Sequence, residues 1–186
     1  MPSALVILAE GAEEMEAVIT IDVLRRGGVC VTVGGLSDSN PVKCSRDTVI
    51  VPDKSLQQAI SDNKYDAVII PGGLQGSKLI SESSIVKNLL QEQEKRTGLI
   101  AAICAGPTAL MAHKICMGKR LTSYPAFKDK LTAAGYNYSE DRVVVDGRLI
   151  TSRGPGTAFE FALAIVKALD SQEKADSLVA PMLLKL

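Results

Sequence analysis

Four short apolar runs, at residues 4–9, 29–33, 65–70 and 99–103, constrain this chain more than any other feature. Each is rich in β-branched or small residues; 4–9 is apolar without a break, and 29–33 and 65–70 are interrupted only by Thr32 and Asp66. A strand with one wet face alternates between apolar and polar side chains. A run that is apolar throughout belongs to a strand covered on both faces. Helical patterns lie between the runs: an amphipathic stretch at 13–26 that closes on Gly27-Gly28, and a polar-faced one at 84–96 that opens on a serine. Alternating strand and helix predict a parallel sheet with helices on both faces, an α/β fold of the doubly wound kind. In such sheets, chemistry gathers in the loops at the carboxyl ends of the strands. The loops to search are therefore 10–16, 34–36, 71–77 and 104–107.

The remaining pattern fits around that frame. Short β-like pieces at 42–45 and 48–51 read as a small excursion. Residues 107–114 read as a helix, 120–123 as a short strand, and 125–134 as a helix with proline in its first turn. Strands at 142–145 and 148–151 flank Asp146-Gly147, the strongest short hairpin signal. A helix at 157–169, apolar nearly all round, should be buried, and 172–186 forms a helical tail. There is no repeat, low-complexity stretch or linker. At 186 residues the chain is read as one domain, 1–186.

Charge and composition exclude several function classes. The 21 basic and 21 acidic residues cancel, which argues against a nucleic-acid or anionic-membrane surface. A single histidine excludes a histidine-rich metal site. The four cysteines lack C-x-x-C spacing, so neither a zinc ribbon nor a thioredoxin-type motif is available, and no metal is expected. The first apolar run is too short to span a bilayer and lacks the flanks of a secretory signal. The expectation is a soluble intracellular protein with Cys30, Cys44, Cys104 and Cys116 as free thiols.

Nucleotide sites find little support. Gly72-Gly73-Leu74-Gln75-Gly76 is not G-x-G-x-x-G, and Gly118-Lys119 has His113 where a Walker loop needs its first glycine. Gly72-Gly73 is either a tight turn or a bare backbone amide presented to an oxyanion. Cys104 carries more information. Ile103-Cys104-Ala105-Gly106-Pro107 is strand, cysteine, small residues, helix, the layout of a nucleophile elbow, and the helix start beyond it favours a thiolate. Cys30, inside a strand, is expected as a small buried hydrophobe. Cys44 and Cys116 are expected as exposed or half-buried thiols. His113 is expected on an exposed helix face pointing away from the elbow, so a Cys–His dyad is poorly supported. Glu10, Glu13, Glu14 and Glu16 all open the first helix, and their spacing does not choose among them as a partner for Cys104.

These residues carry a resemblance. Gly11-Ala12-Glu13-Glu14-Met15-Glu16, Pro71-Gly72-Gly73, Ala101-Ala102-Ile103-Cys104-Ala105-Gly106-Pro107 and Thr151-Ser152-Arg153-Gly154-Pro155-Gly156-Thr157 are similar to the parkinsonism-associated deglycase (DJ-one) family, the animal branch of the ThiJ/PfpI superfamily. The match runs over essentially the whole chain, including the C-terminal helix of that branch. It implies a flavodoxin-like fold and a homodimer without a cofactor. It assigns Cys104 as the reactive thiol and the site of oxidation to sulfinate, and Glu16 as its protonated hydrogen-bond partner. Gly72, Gly73 and Ala105 would line the oxyanion pocket. The chain departs from the family at Tyr124, where members commonly have histidine; tyrosine is a poor base near neutral pH.

The implied function is protection against oxidative and carbonyl stress, with glyoxalase or protein deglycase chemistry on methylglyoxal or its adducts. The rival reading is a redox sensor or chaperone-like binding module whose partners or stability depend on Cys104 oxidation. A protease loses on the missing histidine. The expected setting is the cytoplasm, with mitochondrion and nucleus as further compartments.

Overall fold

The computed structural model describes all 186 residues. The chain runs β1 (Ser3–Leu8), α1 (Glu14–Arg26), β2 (Cys30–Gly35), β3 (Val42–Lys43), β4 (Val49–Ile50), β5 (Lys54–Ser55), α2 (Leu56–Asp62), β6 (Ala67–Ile70), α3 (Leu74–Glu82), α4 (Ser84–Lys95) and β7 (Leu99–Ile103). It continues through α5 (Pro107–His113), β8 (Arg120–Leu121), α6 (Lys128–Ala133), β9 (Asn137–Tyr138), β10 (Val143–Asp146), β11 (Leu149–Ser152), α7 (Ala158–Leu169) and α8 (Gln172–Val179). Seven strands form one sheet in the order β10-β11-β7-β6-β1-β2-β5. Every pairing is parallel except β10 with β11, the hairpin at Asp146-Gly147.

The unbroken apolar runs follow from period-two geometry. Ala4, Val6 and Leu8 point to one side of the sheet, into a core of 27 buried residues shared with α1, α7 and α8. Leu5 and Ile7 point to the other, into a core of 21 shared with α2, α4 and α5. Both sides are dry from Ala4 onward, so Ala4–Leu8 are all apolar and only Ser3, at the partly exposed start of β1, is polar. Phe161 of α7, fully buried, is among the largest side chains of the first core. At roughly 25 cal/mol per Å² of apolar surface, burying such a ring supplies about 1.5–3 kcal/mol.

The differences from the sequence reading are local. α2 is a full helix in a stretch with no expected element, opened by a reciprocal capping box between Ser55 and Gln58. α3 begins inside the expected loop 71–77. The central strand is β6, with β1 beside it. The expected helix at 125–134 is a 3-10 turn, Pro125–Phe127, leading into α6. No helix is long and apolar enough to cross a membrane.

Candidate active site

The carboxyl ends of β1, β6, β7 and β11 meet at one point, and Cys104 stands there. It holds φ at 63°, the left-handed region that a non-glycine residue enters at a cost of about 1–3 kcal/mol. Hydrogen bonds on both sides of the residue hold that conformation. The Cys104 N–H donates to Ser152 O at 3.0 Å, and the Cys104 carbonyl accepts from Tyr124 N at 2.9 Å. Gly106 N–H closes the turn onto Ile103 O at 2.8 Å, and Pro107 starts α5. A side chain at Gly106 would press on Ile70 O at 2.7 Å, so the small residues after the cysteine are a steric requirement of the elbow.

The four acids at the start of α1 separate into three tasks. Glu13 is the N-cap, its carboxylate accepting from Glu16 N at 2.8 Å. Glu10 accepts from Lys43 N at 3.1 Å. Glu14 accepts from Ser45 Oγ at 2.9 Å and Arg46 N at 2.8 Å, pinning the β3–β4 hairpin over the helix start. Burial opposes ionisation of Glu14, but these hydrogen bonds outweigh it and hold its carboxyl below the ordinary range. Only Glu16 turns inward. It is fully buried, and its Oε2 accepts from Gly72 N at 2.7 Å. Its Oε1 meets no nitrogen or oxygen donor, and the neighbouring hydrogen-bonding group is the Cys104 thiol.

Gly72 is the hinge of this arrangement. A Cβ there would collide with the Glu16 carboxylate and lie 2.6 Å from Cys104 Cβ, so the glycine is what lets acid and thiol meet. Gly73, at φ 92°, passes so close to the β1–α1 loop that its Cβ would lie 2.6 Å from Glu13 N. The two glycines do different things. The Gly72 amide is spent on Glu16, whereas the amides of Gly73 and Ala105 face the Cys104 sulfur. Of the three expected pocket residues, Gly72 is thus a support for the acid rather than a donor to sulfur.

Acid and thiol together hold one proton too few to stay neutral and one too many to ionise twice. Burial pushes Glu16 up to about 7. Burial, with a charged Glu16 beside it, pushes Cys104 up to about 12, so the two do not ionise together. The two placements of the single charge differ in their hydrogen bonding. A Glu16 carboxylate would have the Gly72 N–H and the weakly donating Cys104 S–H as donors. A Cys104 thiolate would be half-buried and polarizable, with the Gly73 and Ala105 amides and the Glu16 carboxyl as its neighbours. With the charge on sulfur instead, a protonated Glu16 would replace the carboxylate's upward pull on the thiol by a donated hydrogen bond.

Other expected roles change. His113 is buried, not exposed, and its Nε2–H donates to Ile80 O at 2.8 Å, tying α5 to α3. Cys30 is exposed rather than buried, because it opens β2 at the sheet's edge of solvent. Cys44 and Cys116 are buried rather than exposed or half-exposed. Burial and then nearby carboxylates push them up to about 11 and about 12, Glu14 leading at Cys44 and Glu94 at Cys116. Tyr124 reaches the site through its backbone. Its ring is half exposed and lies edge-on to Phe127, centroids 6.5 Å apart. The loop after β2 lies beyond β1 and makes no hydrogen bond to Cys104 or Glu16. No group of three or more His, Cys, Asp or Glu side chains is placed to hold a metal ion.

Residues 2–168 match the DJ-1/PfpI family. The chain belongs to that family. It is 57% identical to the Parkinson disease protein 7 homolog of Danio rerio over 183 residues, 98% of this chain and 97% of that protein. It is 50% identical to the glutathione-independent glyoxalase DJR-1.2 of Caenorhabditis elegans, over 98% and 96% of the two chains. The crystal structure of Drosophila melanogaster DJ-1beta superposes with a TM-score of 0.96 at 55% identity, covering 100% of this chain and 99% of that one. The DJ-1/PfpI fold is thus the flavodoxin-like one that the motifs implied.

Proposed function

We propose that this protein is a cofactor-independent glyoxalase of the DJ-1 type, acting on small 2-oxoaldehydes such as methylglyoxal and on their early adducts with proteins. The observation that carries the reading is the fully buried Glu16 with one oxygen free to face the strained Cys104. The Cys104 thiolate adds to the aldehyde carbon, and the C=O electron pair becomes an alkoxide that takes the Glu16 proton. Glu16, now a carboxylate, removes the hydrogen from that carbon and returns a proton to the neighbouring one. The hydroxyl proton of the first carbon passes to the oxygen of the second, so the first becomes a thioester as the second becomes an alcohol and no external oxidant is needed. Water then releases a 2-hydroxy acid and regenerates the thiol. The amides of Gly73 and Ala105 support the charge beside the sulfur. The glyoxalase name of the nematode relative supports the reaction class.

The same groups support a second role as a sensor of oxidative stress. Two equivalents of peroxide, each giving one oxygen to sulfur, would convert the thiolate to a sulfinate, whose oxygens the Glu16 O–H and the two amides suit. A homodimer is proposed on the α1 face, where Met15 and Val18 are about half exposed and Leu183 almost wholly so. Four unpaired cysteines fit a reducing compartment, and the cytoplasm is the proposed setting, with mitochondrion and nucleus as further ones. The test is conversion of methylglyoxal to the hydroxy acid by the purified chain. Saturable turnover lost in Cys104→Ser supports the enzyme. Turnover that survives in Cys104→Ser overturns the Cys104 chemistry, and none in the parent alongside ready sulfinate formation leaves only the sensor.

A further inference from the structure

A groove of about 550 Å³ runs between α3 and α5 beside the elbow. Ala105 lines it, and the Ala105 N–H faces the Cys104 sulfur, so groove and thiol share a wall. Met111 and Phe127 give it apolar surface. Lys78 and Lys130 give it two cations, and no Asp or Glu lines it. Ser77 also lines it, 2% exposed, with a hydroxyl that has no hydrogen-bond partner. Buried hydroxyls are seldom left unpaired, and one on a groove wall is a site for a ligand's polar atom. Methylglyoxal fills only a small part of such a space, since sites of roughly 300–1,000 Å³ take much larger molecules.

We propose that the groove holds the tail of a larger 2-oxoaldehyde whose reacting carbonyl sits at Cys104 and whose far end carries a carboxylate or phosphate paired with Lys78 and Lys130. The proposal rests on the carbonyl-addition reading of Cys104. The apolar stretch between carbonyl and anion lies along Met111 and Phe127, and the Ser77 hydroxyl donates to the tail. Two lysines with no acid among them favour an anion over a neutral sugar or a cation.

Alkylation tests the groove without requiring turnover. The Cys104 labelling rate, read by mass spectrometry, is compared for 6-maleimidohexanoic acid, its neutral amide, and the matching alkyl phosphate. At low salt the two anions should label about five-fold faster than the amide, with the gap closing as salt rises. The faster of the two names the tail. Lys78→Gln/Lys130→Gln should bring the anion-to-amide ratio to about one, and Ser77→Ala should lower it. Equal rates for the three reagents, or a ratio unchanged in the double variant, overturn the proposal. A variant that slows acid and amide alike leaves the ratio unchanged and counts against it. Turnover of methylglyoxal by the parent reports separately on the Cys104 chemistry, so either idea can fail alone.

Discussion

Glu16→Gln separates a buried acid from an ordinary helix-start glutamate through the pH dependence of stability. In the native protein the acid–thiol pair keeps its proton up to about 7, whereas an exposed glutamate sheds it near 4.5. Between those values the native state binds more protons than the unfolded state, so stability falls as pH rises. The raised pKa means the cost is absent below 4.5 and fully present above about 7. An interval of about 2.5 pH units at about 1.4 kcal/mol each gives a loss of about 3.5 kcal/mol. This loss counts protons only, and is the same whether the charge ends on sulfur or on oxygen. Glutamine keeps an acceptor for Gly72 N–H and a donor toward sulfur but has no proton to lose. Urea unfolding from pH 4.5 to 7.5 should therefore show the decline in the parent and a flat profile in Glu16→Gln. Glu14→Gln, whose lowered pKa works in the opposite sense, should cost most above 4.5 and least in acid. A decline of equal size in Glu16→Gln would refute the buried-acid assignment.

Other outcomes follow from the same geometry. Limiting iodoacetamide at neutral pH should label Cys104 before Cys30, Cys44 and Cys116, with peptide mapping as the readout. Gly72→Ala, whose Cβ would lie 2.6 Å from Cys104 Cβ, should cost about 1–3 kcal/mol in unfolding and slow Cys104 labelling by more than tenfold. Light scattering at micromolar concentration should report about twice 19.7 kDa, and Met15→Glu with Val18→Glu should return the monomer.

Most of the frame was legible because a parallel sheet buried on both faces leaves so strong a mark. The unbroken runs at β1, β6 and β7, and Asp146-Gly147, needed no tertiary knowledge. The nucleophile elbow was legible for a steric reason: a left-handed residue before a helix start demands small neighbours, and Ala105-Gly106-Pro107 supplies them. The choice of Glu16 among four acids was not legible from spacing. It depends on the Gly72 amide, 56 residues away, and on a hairpin that claims Glu10 and Glu14. The resemblance to relatives singled it out, and the geometry supplies the reason. Burial of His113, Cys44 and Cys116 depends on what packs over them, which local pattern does not encode. The helix α2 was a different kind of omission, since Ser55 and Gln58 stand in capping-box order in the sequence.

Where the shared proton rests is the point on which the proposed chemistry depends, and thiolate absorbance near 240 nm against pH measures it most directly. The account predicts that Cys104→Ser lacks an absorbance step near pH 7 that the parent shows, and that Glu16→Gln shifts this step upward by more than a pH unit. An absorbance step in the parent only above pH 9, with a carboxylate signal appearing near 7 in difference infrared spectra, would contradict it, placing the charge on Glu16 and leaving Cys104 a neutral thiol.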